Sequence, residues 1–319
     1  MESRDAMGLE QRINPVFRSL ILRSTTNPAA ASFVRENGMR LGAARFVAGE
    51  TFDDALPVHQ RLNAAGFATN TTLLGEALHD ERAVADVLAS YIQVQDRITA
   101  AGLNTNIAVK LTQLGLTLNE DDACSNVDQL VSHAASQGAF IRIDMEESAH
   151  VNATLRIFDF LRRRAGYTNV GTVLQSALLR TDADLVALTR FEPNLRLVKG
   201  AYLENEHVAY QQKRDVDRNY VTLAERMLTR IPFTAIATHD EAIIDHLITF
   251  AKRRAIPQER FEFQMLYGIR PQLQRRLQER GYPVRIATPF GPEWYFYLMR
   301  RLAERPANAL FLARGVLAR

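Results

Sequence analysis

Eight short runs of β-branched and apolar residues recur along the chain. Between them lie longer stretches whose apolar positions fall at i, i+3, i+4 and i+7. The runs are "FATNTTLL" (67–74), "NIAVKLT" (106–112), "FIRIDME" (140–146), "VGTVLQ" (170–175), "LRLVKGAY" (195–202), "TAIATHD" (234–240), "FEFQML" (261–266) and "VRIATPFG" (284–291). Pieces such as "VADVLASYIQVQDRITAAG" and "DEAIIDHLITFAKRRAI" read as amphipathic helices, and "RAGYTNVGT" and "RGYPVRI" place turn signals just ahead of strands. Eight strand–helix alternations within roughly 250 residues predict a (β/α)8 TIM-like barrel. A doubly wound sheet normally has fewer strands and announces a dinucleotide site with G-x-G-x-x-G, which this sequence lacks. The first 60 residues show no strand pattern. The expected division is therefore an N-terminal helical appendage over 1–60, packed on a barrel domain over 61–319.

Composition narrows the class. With 319 residues, 47% of them hydrophobic, the chain is long enough for one large core. Its single cysteine, Cys124, rules out an internal disulfide and points to a reducing compartment. No apolar run approaches the roughly 20 residues that span a bilayer. The beginning, "MESRDAMGLEQR", does not read as a signal peptide. A cytoplasmic protein is expected, with peripheral contact at the inner face of the cell membrane left open. The formal charge is only +3, and the densest basic patch is "LRRRAG" at Arg162–Arg164. Without clustered basic residues interleaved with aromatics, no nucleic-acid partner is expected. Only four lysines occur, Lys110, Lys199, Lys213 and Lys252, so each lysine position carries more information than usual.

A barrel carries its chemistry at the C-terminal ends of its strands. The polar residues there are Glu76, Lys110, Asp144, Gln175, Lys199, and the trio Thr238, His239 and Asp240, with Leu266 and Tyr267 closing the seventh run. Each has a plain structural reading. Asp144 caps a helix as readily as it does chemistry, and His239 satisfies a turn. Lys110, set in "IAVKLT", is expected to be buried and so to need an anionic partner. Gln175 needs hydrogen-bond partners if it faces inward. Alternation along "LRLVKGAY" puts Arg196 and Lys199 on opposite faces, so both enter the barrel only if the strand bends near Gly200. Lysines at two strand ends keep a Schiff-base barrel as an alternative. There is no H-x-x-x-H or Cys/His cluster, and no metal is expected. On the last helix, "YFYLMRRLAERP" sets Arg300 and Arg301 side by side, as a solvated edge or as a clamp for an anion.

Taken in order, "AVKLTQLG", "IRIDME", "TVLQSALLRT", "LRLVKGAY", "ATHD", "FQMLYG" and "YLMRRLAERPAN" resemble the proline dehydrogenases of the bacterial monofunctional type. They are also similar to the proline-oxidising domain of proline utilisation A. The resemblance runs from about Phe67 to the C-terminus. It implies a barrel that binds FAD, oxidises L-proline to 1-pyrroline-5-carboxylate as the first step of proline degradation, and passes electrons to a membrane quinone. Carried over residue by residue, it gives the substrate carboxylate to Lys110, Arg300 and Arg301, and the catalytic polar roles to Asp144 and Arg196. FAD contacts fall to Met145, Gln175, Arg196, Val198, Lys199, Gly200, Thr238 and His239, with Ala201 close by. Tyr202, Leu266 and Tyr297 wall the proline ring, Glu76 pairs with Arg300, and Glu304 orients Arg301. The longer bifunctional relatives generally carry a tyrosine near Ala287, and the alanine here implies a larger pocket. Gln212 and Lys213 are only approximate matches to a Thr-Lys pair that the family uses near its cofactor.

Overall fold

The computed structural model describes residues 38–39, 42–75 and 77–304, with side chains through residue 299. Eight parallel strands close into a barrel in chain order: β1 (Ala68–Leu73), β2 (Thr105–Val109), β3 (Ile141–Ile143), β4 (Val170–Gln175), β5 (Asn194–Val198), β6 (Phe233–Ala237), β7 (Phe261–Leu266) and β8 (Val284–Phe290). The helices are α1 (Phe52–Ala64), α2 (Glu81–Ala100), α3 (Glu120–Ser136), α4 (Ser148–Asp159), α5 (Thr181–Thr189), α6 (Lys213–Arg230), α7 (Glu241–Arg253), α8 (Pro271–Glu279) and α9 (Trp294–Glu304). The (β/α)8 expectation is met, and each of the eight runs overlaps a strand, which in three cases begins one residue earlier.

Local chemistry starts these helices where they start. Asp80 accepts from Ala83 N at 2.9 Å before α2, and Asn119 accepts from Asp121 N at 2.8 Å before α3. Asp240 accepts from Ile243 N at 3.4 Å before α7. Each side-chain oxygen satisfies an N–H that the first helical turn leaves unpaired.

The chain forms two compact units. One comprises His59–Thr72 with Glu76–Ala287 and holds most of the barrel; the other contains the described residues of Met1–Val58, Leu73–Gly75 and Thr288–Arg319. Within the second, Ala48 N donates to Pro289 O at 2.8 Å and Leu74 N to Phe290 O at 2.7 Å. There too Trp294 Nε1 donates to Glu50 Oε1 at 2.8 Å, and Phe52 meets Phe290 edge to face at 5.4 Å. Of the appendage expected over 1–60, residues 1–37 lie outside the described residues.

The larger unit is buried on both sides of its strands. Ile107, Ile141, Leu195, Leu197, Ile236 and Phe263 are fully buried. The lower barrel is polar rather than oily. Arg142 on β3 is fully enclosed and donates to Thr172 O at 3.1 Å and Asn194 O at 2.7 Å. Gly171 makes room for it, since a Cβ there would stand 2.5 Å from Arg142 Nη1. Among the described residues no helix is long and apolar enough to cross a membrane.

Candidate active site

The strand ends of the larger unit bring together residues far apart in sequence. Asp144 follows β3 directly, and its N–H donates to Val109 O at 2.9 Å, which extends the parallel ladder by one residue and holds the half-buried carboxylate at the rim. On β5 the burial alternates: Leu195 and Leu197 are fully buried, while Arg196 and Val198 are partly accessible. The backbone of Leu197 accepts from Tyr220 Oη of α6 at 3.1 Å. Arg196 reaches across the barrel, donating from Nη2 to Asp144 Oδ1 and from Nη1 to Gln264 Oε1 at 3.4 Å.

Lys199, on the other parity, turns toward the helices. Its ammonium lies 2.6 Å from Asp217 Oδ1 on α6 and 3.2 Å from Asp240 Oδ2 ahead of α7. The opposition of Arg196 and Lys199 expected from alternation is therefore what the fold adopts. Burial alone would raise the Asp240 carboxyl, but the charge and hydrogen bond of Lys199 outweigh it and hold the group below its ordinary range. Lys213 also pairs with Asp217, and lies 3.9 Å from Asp240.

Lys110 corrects an expectation. Because β2 stops at Val109, Lys110 stands past the strand end and is half-buried rather than enclosed. It precedes a 3-10 turn, Leu111–Leu114, and influences the buried Glu146. Desolvation pushes the Glu146 carboxyl up, while hydrogen bonds from Thr112 and the charge of Lys110 pull it back. Thr112 supplies both donors, its N–H at 3.1 Å and its hydroxyl at 2.5 Å.

Gln175 finds the partner its burial requires: Nε2 donates to Glu146 O at 2.8 Å. Gly200 sits at φ +116°, and a Cβ there would lie 3.1 Å from Ala177 Cβ and 3.2 Å from Gln175 Oε1. Only glycine suits that conformation and that approach. Met145 belongs to a small apolar cluster with Val151, Val173, Leu178 and Ala209, against which Val198 packs. Thr238 Oγ1 accepts from Asp240 N at 3.1 Å, and His239 Nε2 accepts from Leu266 N at 2.9 Å. Since Nε2 is the acceptor, the neutral ring carries its proton on Nδ1. One edge of the His239 ring thus serves the backbone at the C-terminal end of β7. Tyr202 and Leu266 are half-buried, and Ala201 is exposed.

In the smaller unit Tyr297 is half-buried on α9. Glu76 lies outside the described residues, and so do the side chains of Arg300, Arg301 and Glu304, whose backbone continues α9.

Sequence reading missed four residues inside the barrel: Arg142, Glu262, Gln264 and Arg285. Glu262 and Arg285 form an ion pair at 2.9 Å in the barrel interior, and Gln264 Nε2 donates to Glu262 Oε1 at 2.6 Å. Their signal was available as polar residues set between apolar ones in "FIRI", "FEFQ" and "PVRI". Among the described residues no group of His, Cys, Asp and Glu is placed to hold a metal ion.

The barrel and its rim have known counterparts. The family model described as "Proline dehydrogenase" matches residues 55–314. Proline dehydrogenase 1 of Bacillus subtilis (strain 168) is 38% identical over 302 residues, covering 95% of this chain and 99% of that one. Proline dehydrogenase of Deinococcus radiodurans is 39% identical over 308 residues, covering 96% and 99% respectively. Among solved structures, proline utilization A (PutA) from Bdellovibrio bacteriovorus, inactivated by N-propargylglycine, superposes with a TM-score of 0.78 at 25% identity. That match covers 88% of this chain but only 34% of that one, so the chain spans about a third of the larger protein's length. Near full-length agreement with these two relatives, on a closed eight-stranded barrel, places the chain in the proline dehydrogenase family.

Proposed function

We propose that this chain oxidises L-proline to 1-pyrroline-5-carboxylate at the barrel mouth, with FAD as its redox cofactor and a quinone as final electron acceptor. The observation that carries the reading is the Arg196–Asp144 pair. Arg196 uses Nη1 and Nη2 on protein acceptors, while its Nε is buried with no hydrogen-bond partner among the described residues. A buried N–H left unmade costs about 1–3 kcal/mol, so an acceptor on a bound group fits there. The backbone at Gly200, kept open by the absence of a Cβ, supports the same reading.

Bound there, a flavin supplies the hydride acceptor that no side chain offers. The residues we assign to holding it are Met145, Gln175, Arg196, Val198, Lys199, Gly200, Ala201, Thr238 and His239. Asp144 holds Arg196 in place at the reacting centre. Following the family resemblance, Lys110, Arg300 and Arg301 take the substrate carboxylate, Tyr202, Leu266 and Tyr297 wall the ring, and Glu76 and Glu304 serve the two arginines. Fixing the carboxylate and the ring would hold the reacting carbon in a single orientation toward the acceptor. The ring nitrogen must be unprotonated to expel hydride, so the rate rises with pH. Peripheral contact with a membrane belongs to this reading through the quinone, and the apolar Leu203, 87% exposed on the loop after β5, is compatible with a lipophilic acceptor.

The alternatives fit less well. Lys199 is engaged by two carboxylates, Asp217 and Asp240, rather than set in the apolar pocket that makes a lysine nucleophilic. Surface arginines such as Arg156, Arg163 and Arg226 are paired with Glu120, Asp159 and Asp182, which does not resemble a stripe for phosphates. The deciding experiment is an absorption spectrum of the purified protein, followed by proline-dependent reduction of a soluble quinone analogue. A colourless protein that FAD does not reconstitute, or a yellow one indifferent to proline, would sink the proposal.

A further inference from the structure

Below Arg196 the barrel interior contains a continuous polar chain that the proposed chemistry does not itself use. Arg285 on β8 donates from Nε to both oxygens of Glu262, at 2.9 and 3.1 Å, and from Nη1 to Thr69 O at 2.8 Å. Glu262 accepts from Gln264 Nε2 at 2.6 Å, and Gln264 Oε1 accepts from Arg196 Nη1 at 3.4 Å. Arg196 then reaches Asp144. Glu262 and Gln264 are 4% and 5% exposed, so bulk water does not replace either partner.

The orientation of each link follows from its chemistry. A carboxylate only accepts and a guanidinium only donates, whereas an amide has one end of each kind. Glu262 therefore selects the NH₂ end of Gln264, and the carbonyl end must face Arg196. Arg285 prevents Glu262 from turning away. The guanidinium of Arg196 is held between an acceptor on β7 and one just past β3, which sets the direction of its remaining Nε–H.

We infer that Gln264, oriented by Glu262, is a positioning residue that aims Arg196 at the reacting centre. Charge supports the same arrangement. Arg142, Arg196 and Arg285 crowd the interior against Glu262 and Asp144. The Arg142 guanidinium is pushed down to about 9 by burial first and by Arg196 next, while Glu262 acts the other way. A leucine at 264 would strand both neighbours, and a glutamate would set two carboxylates against each other.

The inference rests on the reading that Arg196 works at the reacting centre, and the test separates the two. Wild-type protein that neither holds flavin nor oxidises proline ends the functional reading, whatever the variants do. Given an active wild type, Gln264→Met should lower kcat about 10-fold, with KM for proline changed less than about threefold and flavin per chain unchanged. The second variant exchanges the two side chains, Glu262→Gln with Gln264→Glu, preserving charge and volume. A purely structural role predicts recovery of both Tm and kcat. A positioning role predicts recovery of Tm with kcat still about a tenth of wild type, because the relocated carboxylate competes with Asp144 for Arg196. The inference is overturned if Gln264→Met keeps kcat within about twofold, if the exchange restores full turnover, or if neither variant folds.

Discussion

Arg196 and Asp144, 52 positions apart in the chain, are joined by a charge-assisted hydrogen bond from Nη2 to Oδ1. Both are partly buried, at 11% and 23% side-chain exposure. Charged pairs shielded in this way leave an uncompensated partner when one member is removed.

Arg196→Met and Asp144→Ala should each lower kcat/KM for proline by about 10²-fold or more, equivalent to about 2.7 kcal/mol of transition-state stabilisation. The double variant should lie within a few-fold of the worse single one, because the two act as a unit. Far-UV circular dichroism should be unchanged. Fully additive losses would show that the pair acts as two independent contacts.

Lys110 stands past the end of β2, accessible to a ligand, and is assigned to the substrate carboxylate. Lys110→Met should raise KM for proline about 10-fold or more, since a hydrogen bond to a charged group contributes about 1.5–3 kcal/mol. Arg301→Met should behave similarly on the family assignment. A pyrrolidine substrate without the carboxylate is the control, and the variants should lose little with it. Equal losses on both substrates would assign these cations to the fold.

His59, fully buried, has its Nδ1 within 2.9 Å of Thr69 Oγ1, which lies 2.6 Å from Thr105 Oγ1. Burial pushes its pKa down to about 4 from an ordinary 6.5. A histidine lowered in the folded state favours unfolding as protons become available. Its stabilising effect is complete above about pH 6.5 and is lost as pH falls toward about 4, a change on the order of 3 kcal/mol. Urea midpoints at pH 7 and pH 5 should therefore separate more in wild type than in His59→Asn. Equal separation in the two proteins would remove His59 from the acid response.

Gly200 combines a left-handed φ of +116° with neighbours close to any added Cβ. Gly200→Ala should cost more than about 1 kcal/mol in stability and reduce flavin retained through gel filtration, because Gln175 and Ala177 must shift. Normal flavin content with an unchanged Tm would mean the turn relaxes without consequence.

The sequence by itself determined the architecture. Short β-branched and apolar runs alternating with helical periods leave few ways to bury both faces of eight strands, and the barrel observed is the one that the pattern implies. It also placed Arg196 and Lys199 on opposite sides of the run "LRLVKGAY", since pleating alternates side chains. Which residues then meet was decided by tertiary structure. Lys110 escaped full burial because hydrogen bonding ended β2 at Val109, a boundary that the apolar run "IAVKLT" does not mark. Asp217 became a partner of Lys199 only when α6 packed beside β5. Glu262, Gln264 and Arg285 were visible as polar residues between apolar ones, yet nothing local orders them into a chain toward Arg196. That order depends on strand register, which pairs Gln264 with Arg285 and Ala237, and on barrel closure, which brings β7 within reach of β5. Periodicity is a property of neighbours along the chain, whereas the site is built from contacts across it.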